Sequence, residues 1–352
     1  MRFSRELSRI AKLDRYVRPE KIEGAIKLDS NENFALDKDF VTAVAKAAAK
    51  RVDLREYPID ELEALYGKLA RYVGVSQDCV SVGSGSDQII ELLLTTLAQK
   101  GSRATVFVPT FSYFINRCEL HSILVDRVPL DSDFELDAAM FVKRARRADL
   151  VYLCSPNNPT GGQIPRRTAE AIIDELDDTL VLVDEAYADF AGYSLGRLAT
   201  KRHNVIVLRT LSKAFGLAGA RVGYMVTNER VAGVFNSTIQ SPYPVSTLSL
   251  AIATSVLERS VHVKKTIDAV TRERERVAKR LAEVKGIRVF RSDANFLLIE
   301  TGRKYRAIAD ALAKQDIIVK MLGNVAGHPG CMRVTIGTRG TNSKFLKCVE
   351  EA

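Results

Sequence analysis

Five short apolar runs, each followed at once by a polar motif, set the strongest limit on how this chain folds. The runs are CVSV (79–82), ATVFV (104–108), LVYLC (150–154), LVLVD (180–184) and NVIVL (204–208). They are apolar throughout rather than alternating, which is the pattern of parallel strands covered on both faces. Helical patterns such as DQIIELLLTTLAQ (87–99) and RRTAEAIIDELDD (166–178) separate them, so the reading is an α/β domain with a mostly parallel central sheet. From residue 246 the texture changes to long charged helices reaching 284, then a strand NFLLI (295–299), a helix and a final strand MRVTI (332–336). That predicts a smaller α+β domain, as a chain of 352 residues, too long for one core, allows. The expected division is an arm and small-domain segment over 1–38, a large domain over 39–245 and a small domain over 246–352.

The motifs fall where such a sheet binds ligands. GSGSD follows Val82, PTF follows Val108, SPNNPTG follows Cys154, DEAY begins at Asp184, and RTLSK follows Leu208. Open α/β sheets hold ligands in the crevice beyond the carboxyl ends of their strands, so five motifs at such ends imply one shared site.

Bulk properties exclude other classes. The five cysteines are scattered, odd in number and contain no Cys-x-x-Cys pair, which argues against a disulfide framework or a zinc site and fits the cytoplasm. No apolar run approaches the roughly 18 residues of a membrane span. The basic N-terminus, MRFSRELSRIAKLDRY, carries Glu6 and Asp14 and no small-residue cleavage stretch, so it is not read as a targeting segment. A net charge of +9 raises nucleic acid as a partner. The densest cluster, RERER (272–276), alternates in sign, however, as a solvated, pair-laced helix face does. A positive field that draws in small anionic substrates is the preferred reading, and no metal site is expected.

Each motif has a bland and a chemical reading. GSGSD (83–87) is by itself a tight turn. As a phosphate cup, Gly83 and Gly85 admit a close backbone approach while Ser86 and Asp87 open a helix whose N–H groups favour an anion. SPNNPTGG (155–162) can be a simple turn and DEAY (184–187) a strand end with a cap. In the chemical reading, Asp184 is a buried carboxylate that keeps a pyridine nitrogen protonated, and Asn157 and Tyr187 donate hydrogen bonds to a ring oxygen. RTLSKAFGLAGARVGY (209–224) is the most informative stretch. A lysine just past a buried strand, beside Thr210 and Ser212, has an amine that desolvation and neighbouring cations keep partly neutral. Arg221 stands ready to pair with a phosphate.

The succession LDSNEN (28–33), YP (57–58), GSGSDQ, PTFSYF (109–114), CSPNNPTG, VDEAYADF (183–190), LRTLSKAFGLAGARVGY, ANFLLIE (294–300) and MRVTIGT (332–338) resembles the histidinol-phosphate aminotransferases, of the fold-type-I group of pyridoxal 5'-phosphate (PLP) enzymes. The resemblance runs from residue 13 to the C-terminus. It implies Lys213 as the lysine that carries the cofactor and shuttles the proton, and Asp184 as partner of the pyridine nitrogen. Asn157 and Tyr187 would contact the ring oxygen, Asn157 also facing substrate, and Phe111 would stack on the ring. Gly85, Ser86, Asp87, Ser212 and Arg221 would form the phosphate cup. Tyr57 would reach the cofactor phosphate of a second subunit, making a homodimer with shared active sites. Arg333 would hold the substrate's anionic end with Lys320 beside it. Tyr16 corresponds either to a substrate-side tyrosine or to an ordinary packing aromatic of the arm.

Four places depart from the family's common pattern: Ser84 in place of asparagine, Phe111 in place of tyrosine, Phe34-Ala35-Leu36 after NEN, and Lys320 in place of a second arginine. The implied activity is transamination between histidinol phosphate and 2-oxoglutarate in histidine biosynthesis. An aromatic or broad-range aminotransferase is the alternative of the same fold, and a threonine-phosphate decarboxylase a more distant one.

Overall fold

The computed structural model describes residues 2–13 and 22–352. Its strands are β1 (Ile26–Leu28), β2 (Val80–Gly83), β3 (Arg103–Val108), β4 (Leu124–Pro129), β5 (Leu150–Cys154), β6 (Leu180–Asp184), β7 (Val205–Thr210), β8 (Gly223–Val226), β9 (Arg288–Val289), β10 (Phe296–Glu300), β11 (Ile317–Val325) and β12 (His328–Thr335). Seven of them form one sheet in the order β2-β8-β7-β6-β5-β3-β4. Only β8 runs against its neighbours, β2 and β7, and the pairs β7-β6, β6-β5, β5-β3 and β3-β4 are parallel. The other six strands therefore all point one way, and the five motif-bearing ends lie along one edge, as the sequence implied.

The sheet is built as its composition dictates. Every residue of β5 is buried, and so is all of β6 except Leu180. Helices cover the sheet, among them Ser86–Leu97, whose buried Ile89, Ile90, Leu93 and Leu94 recur at helical spacing. Two strands went unforeseen. In β4, LVDRVP, charged residues interrupt the apolar pattern because the strand is at the sheet edge, where one flank is wet. In β8, GYMV, four residues inside the glycine-rich stretch are too few to display a period.

A second sheet, ordered β1-β11-β12-β10-β9, is antiparallel except for the parallel pair β1-β11. Through β1 the N-terminal segment joins the small sheet. The charged texture expected from residue 246 begins later. Helix Thr247–Leu257 is apolar and packs against helices Lys38–Ala49 and Ile59–Val73, and the charged helix is Ser260–Ala282. Within it the RERER cluster is only partly a solvated face. Arg276 pairs with Glu273 at 2.8 Å, but Arg274 is buried and donates to the Ala294 carbonyl at 2.8 Å. Its guanidinium thus ties the helix to the small sheet.

The two sheets meet around Phe134. Its ring packs on Phe290 and His328, with centroids 4.7 and 5.0 Å away, and Asp133 pairs with Arg288 at 2.5 Å. This contact sets β12, which carries Arg333, against the carboxyl edge of the large sheet.

Candidate active site

At the end of β2 the chain turns through Gly85, at φ +79°, into helix Ser86–Leu97, whose first turn receives no side-chain cap. The N–H groups of that turn are therefore left for an anion. Two glycines make the approach possible. A Cβ on Gly223 would lie 2.1 Å from the Ser86 nitrogen, and one on Gly85 would lie 2.5 Å from Arg221 Nη2. Arg221, itself left-handed at φ +52°, donates to Asp87 Oδ2 at 3.1 Å. The Asp87 carboxylate thus holds the arginine, and what it offers the cup itself is backbone. On the other side the Ser212 hydroxyl is buried with no hydrogen-bond partner, and the Ser212 N–H donates to Thr210 Oγ1 at 3.1 Å. An uncapped helix start, an arginine and an orphaned hydroxyl together fit a phosphate ester.

Asp184, at the end of β6, is buried. Tyr152 donates its hydroxyl to Asp184 Oδ2 at 2.6 Å and the Ala186 N–H donates to Oδ1 at 3.0 Å. Burial holds the carboxyl above the ordinary aspartate range, a shift that these two donors oppose without cancelling. A carboxylate so placed is suited to a cationic partner, and a protonated pyridine ring is one. Lys213, beyond β7, donates from Nζ to the Ser30 carbonyl at 2.9 Å. Desolvation first, then the positive charge of Arg333, brings its ammonium down to about 8. The Tyr187 ring lies 5.7 Å from Nζ, and burial pushes its phenol up to about 12, so it is a proton donor at neutral pH.

Asn157 is buried and heavily committed. Its Oδ1 accepts from Thr110 at 2.8 Å, and its Nδ2 donates to the Pro109 carbonyl at 2.9 Å and to Thr160 Oγ1 at 2.8 Å. Phe111 caps helix Ser112–Leu120, half-buried, with its ring 5.8 Å from that of Tyr113.

Across the cleft, Arg333 on β12 donates to Asn158 Oδ1 and, at 2.6 Å, to the Asp29 carbonyl. Its guanidinium lies 5.4 Å over the Phe296 ring. Lys320 on β11 is the register partner of Arg333. Directly opposed residues of an antiparallel pair share a face, so two cations stand side by side. Tyr57 is not brought into this chain's site; it is 74% exposed and stacks on Tyr243, 4.5 Å between centroids. Tyr16 lies outside the described residues.

Sequence reasoning gave no role to the residues that fasten these groups. Tyr152 sits inside an apolar strand, where it reads as core. Asn31 donates to the Tyr187 hydroxyl at 2.9 Å, and Asn33 donates to the Ala214 carbonyl at 2.8 Å. The polar run DSNEN between β1 and a helix was a visible signal, but its partners are more than 150 residues away. Arg209 forms a buried ion cluster with Glu185 and Asp189, at 3.3 and 2.5 Å; Glu185 is the residue after Asp184, and Arg209 precedes Lys213 at the same strand end.

The family model for aminotransferase class I and II matches residues 23–349. The histidinol-phosphate aminotransferase of Thermoanaerobacter pseudethanolicus is 35% identical over 328 residues, 92% of each chain. That of Thermococcus gammatolerans is also 35% identical, covering 93% of this chain and 91% of the relative. The crystal structure of histidinol-phosphate aminotransferase from Sinorhizobium meliloti in complex with pyridoxal-5'-phosphate superposes with a TM-score of 0.86 at 26% identity, covering 96% of this chain and 95% of that one. A solved L-threonine-O-3-phosphate decarboxylase from Porphyromonas gingivalis shares the fold, with a TM-score of 0.79 at 21% identity. A family match over nearly the whole chain, together with relatives of this likeness along more than nine-tenths of their length, means that this chain belongs to the class I and II aminotransferases, in the histidinol-phosphate aminotransferase group.

Proposed function

We propose that the chain is a PLP-dependent transaminase that moves an amino group between histidinol phosphate and 2-oxoglutarate, running toward histidinol phosphate in histidine biosynthesis. The observation that carries the substrate reading is the register pair Lys320–Arg333, two cations on one face of the small sheet, of which Arg333 reaches Asn158 in the SPNNPTG loop. Both substrates are anions, and a shared arginine serves a phosphate ester or a carboxylate alike.

The cofactor, when bound, supplies an electron sink for the charge that develops at the substrate's Cα. The residues of the chain do the rest. Gly85, Ser86, Asp87, Ser212 and Arg221 would hold the phosphate, Phe111 would cover one ring face, and Tyr187 would meet the ring oxygen, joined by Asn157 once its Nδ2 exchanges the Pro109 carbonyl or the Thr160 hydroxyl for it. Asp184 would hold the proton on the ring nitrogen. Lys213, the attachment point in this reading, has an amine brought down to about 8 and so partly neutral at working pH, and its Nζ would take the proton from Cα and pass it to the cofactor-side carbon, the shift that leaves a hydrolysable keto precursor. Arg333 and Lys320 orient the substrate's anionic end, with Asn157 at its other side.

The active unit in this reading is a cytoplasmic homodimer in which Tyr57 of each chain completes the other's cofactor site. Its exposure, together with that of Leu54 (71%) and Ile59 (61%), supports a subunit contact there. The division into 1–38, 39–245 and 246–352 belongs to the same proposal. Sheet membership supports it, although helix Thr247–Leu257 packs on the large side of that line.

Half-reaction assays with histidinol phosphate, phenylalanine and aspartate test the substrate. Histidinol phosphate should be the fastest amino donor. A preference for phenylalanine would transfer the chain to the aromatic or broad-range aminotransferases, a change that lysine in place of a forked arginine at 320 would accommodate.

A further inference from the structure

The segment Asp29–Asn33 crosses from the small sheet to the cofactor pocket and touches a different functional group at almost every residue. The Asp29 carbonyl accepts from Arg333, the Ser30 carbonyl from Lys213, and Asn33 donates to the Ala214 carbonyl. At its centre Asn31 is 1% exposed and held at φ +57°, a left-handed conformation that asparagine tolerates better than most side chains.

Asn31 is fixed from three directions. Its N–H donates to Thr335 Oγ1 at 2.9 Å, its Oδ1 accepts from the Thr335 hydroxyl at 3.3 Å, and its carbonyl accepts from Asn295 Nδ2 at 3.0 Å. With Oδ1 turned to Thr335, Nδ2 points at Tyr187 and donates to its hydroxyl at 2.9 Å. A phenol has one proton and two acceptor lone pairs. Asn31 occupies a lone pair and, as a donor there, cannot receive the proton, so that proton is left to point elsewhere. A hydrogen bond received by a hydroxyl also polarises the one it gives.

We propose that Asn31 is a positioning residue that fixes the Tyr187 hydroxyl as a donor toward the cofactor's ring oxygen. Thr335 lies two residues from Arg333 on the same face of β12, so the strand that holds the substrate's anionic end also orients this amide. The inference rests on the reading of Tyr187 as a ring-oxygen contact.

The test is a spectrophotometric pH titration of the holoenzyme, following the midpoint of the bound cofactor's visible absorbance in wild type, Tyr187→Phe, Asn31→Asp and Asn31→Gly. A ring oxygen that loses a donated hydrogen bond holds its proton more tightly, so Tyr187→Phe should raise the midpoint by about one unit. Asn31→Asp puts an acceptor where the donor was, recaptures the tyrosine's proton and should raise the midpoint by a similar amount. Asn31→Gly relieves the backbone of any strain at positive φ and removes the whole amide, the donor to Tyr187 and the acceptor from Thr335, without supplying a new acceptor for the tyrosine's proton, so its rise should be smaller but in the same direction. Near-ultraviolet circular dichroism should report all four proteins as folded. A midpoint shifted by Tyr187→Phe but unmoved by both folded Asn31 variants overturns the inference alone. A midpoint unmoved by Tyr187→Phe overturns the ring-oxygen reading and the inference with it.

Discussion

The Tyr152 hydroxyl donates to Asp184 Oδ2 at 2.6 Å from the adjacent strand, while its ring stacks on Phe114 with centroids 4.0 Å apart. A phenol buried in the sheet thus steadies the carboxylate that, in the proposed reading, faces the ring nitrogen. A hydrogen bond to a charged group contributes about 1.5–3 kcal/mol. Tyr152→Phe keeps the stack and removes only that bond, and should slow the first half-reaction by about one to two powers of ten. Asp184→Asn removes the charge itself and should slow it at least about a hundredfold while the protein still binds PLP. Stopped-flow absorbance measures both, and near-wild-type rates in Asp184→Asn would refute the electron-sink role.

Lys213 links the chemistry to stability. Its ammonium titrates at about 8 in the folded cofactor-free chain, against an ordinary value of 10.5. The unfolded chain therefore binds the proton more readily, and the folded state is penalised at neutral pH. Stability should rise with pH between about 8 and 10.5 and then level off. Replacement by the neutral Lys213→Met should stabilise the cofactor-free protein at pH 7 by about 1–3 kcal/mol, discounted for partial exposure, and the gain should vanish above pH 10.5. Thermal unfolding across that range checks the sign. A variant less stable than wild type at pH 7 would show that Lys213 is not desolvated.

What the sequence displayed, and what it hid, divides along physical lines. Strands β5, β6 and β7 were legible because burial on both faces leaves an unbroken apolar run, and Lys213, Asp184 and Arg221 because polar residues at such ends need a reason. The bond from Tyr152 to Asp184 went unseen, and Arg274 was misread, for the converse reason. A phenol in an apolar strand looks like core, and an arginine in an alternating charge run looks like surface, until the fold supplies a carboxylate or a carbonyl. Asn31 meets Tyr187 across 156 residues of chain, a distance that no local pattern encodes.

Arg209 is buried in an ion cluster, with Nη1 on Glu185, Nη2 on Asp189 and the Tyr72 hydroxyl also on Asp189 at 2.6 Å. Breaking a buried ion pair from one side leaves uncompensated charge and typically costs about 3–5 kcal/mol. Arg209→Met, which preserves much of the volume, should therefore lower the melting temperature sharply, and the added change Glu185→Gln should recover part of the loss. Calorimetry of the two variants tests this. If the single variant melts with the wild type, the cluster contributes nothing to stability.

Tyr57 separates a shared site from a self-contained one. Mixing Tyr57→Ala with Lys213→Ala chains should restore activity if Tyr57 acts in the neighbouring subunit, because each mixed dimer then has one intact site. Random assortment sets the ceiling at about a quarter of wild type. Heterodimers isolated with two different affinity tags provide the measurement, provided that Tyr57→Ala alone is strongly impaired. Inactive heterodimers would place Tyr57 outside the partner's site.

In the proposed reading, substrate choice is decided at the pair Arg333–Lys320. Arg333 offers a planar fork that grips either a phosphate or a carboxylate, whereas Lys320 offers a single charge on a flexible stem. Arg333→Ala should thus lower kcat/KM for histidinol phosphate and for glutamate alike, by about one to two powers of ten. Lys320 stands directly across the ladder from Arg333, where a dianionic phosphate has a second charge to satisfy and a carboxylate does not. Lys320→Ala should weaken histidinol phosphate more than glutamate, chiefly through KM, and Lys320→Arg should be tolerated or improve phosphate binding. Steady-state kinetics with both amino donors decide the matter. Equal losses for the two donors in Lys320→Ala would remove Lys320 from phosphate recognition and leave Arg333 as the anion anchor in the reading proposed here.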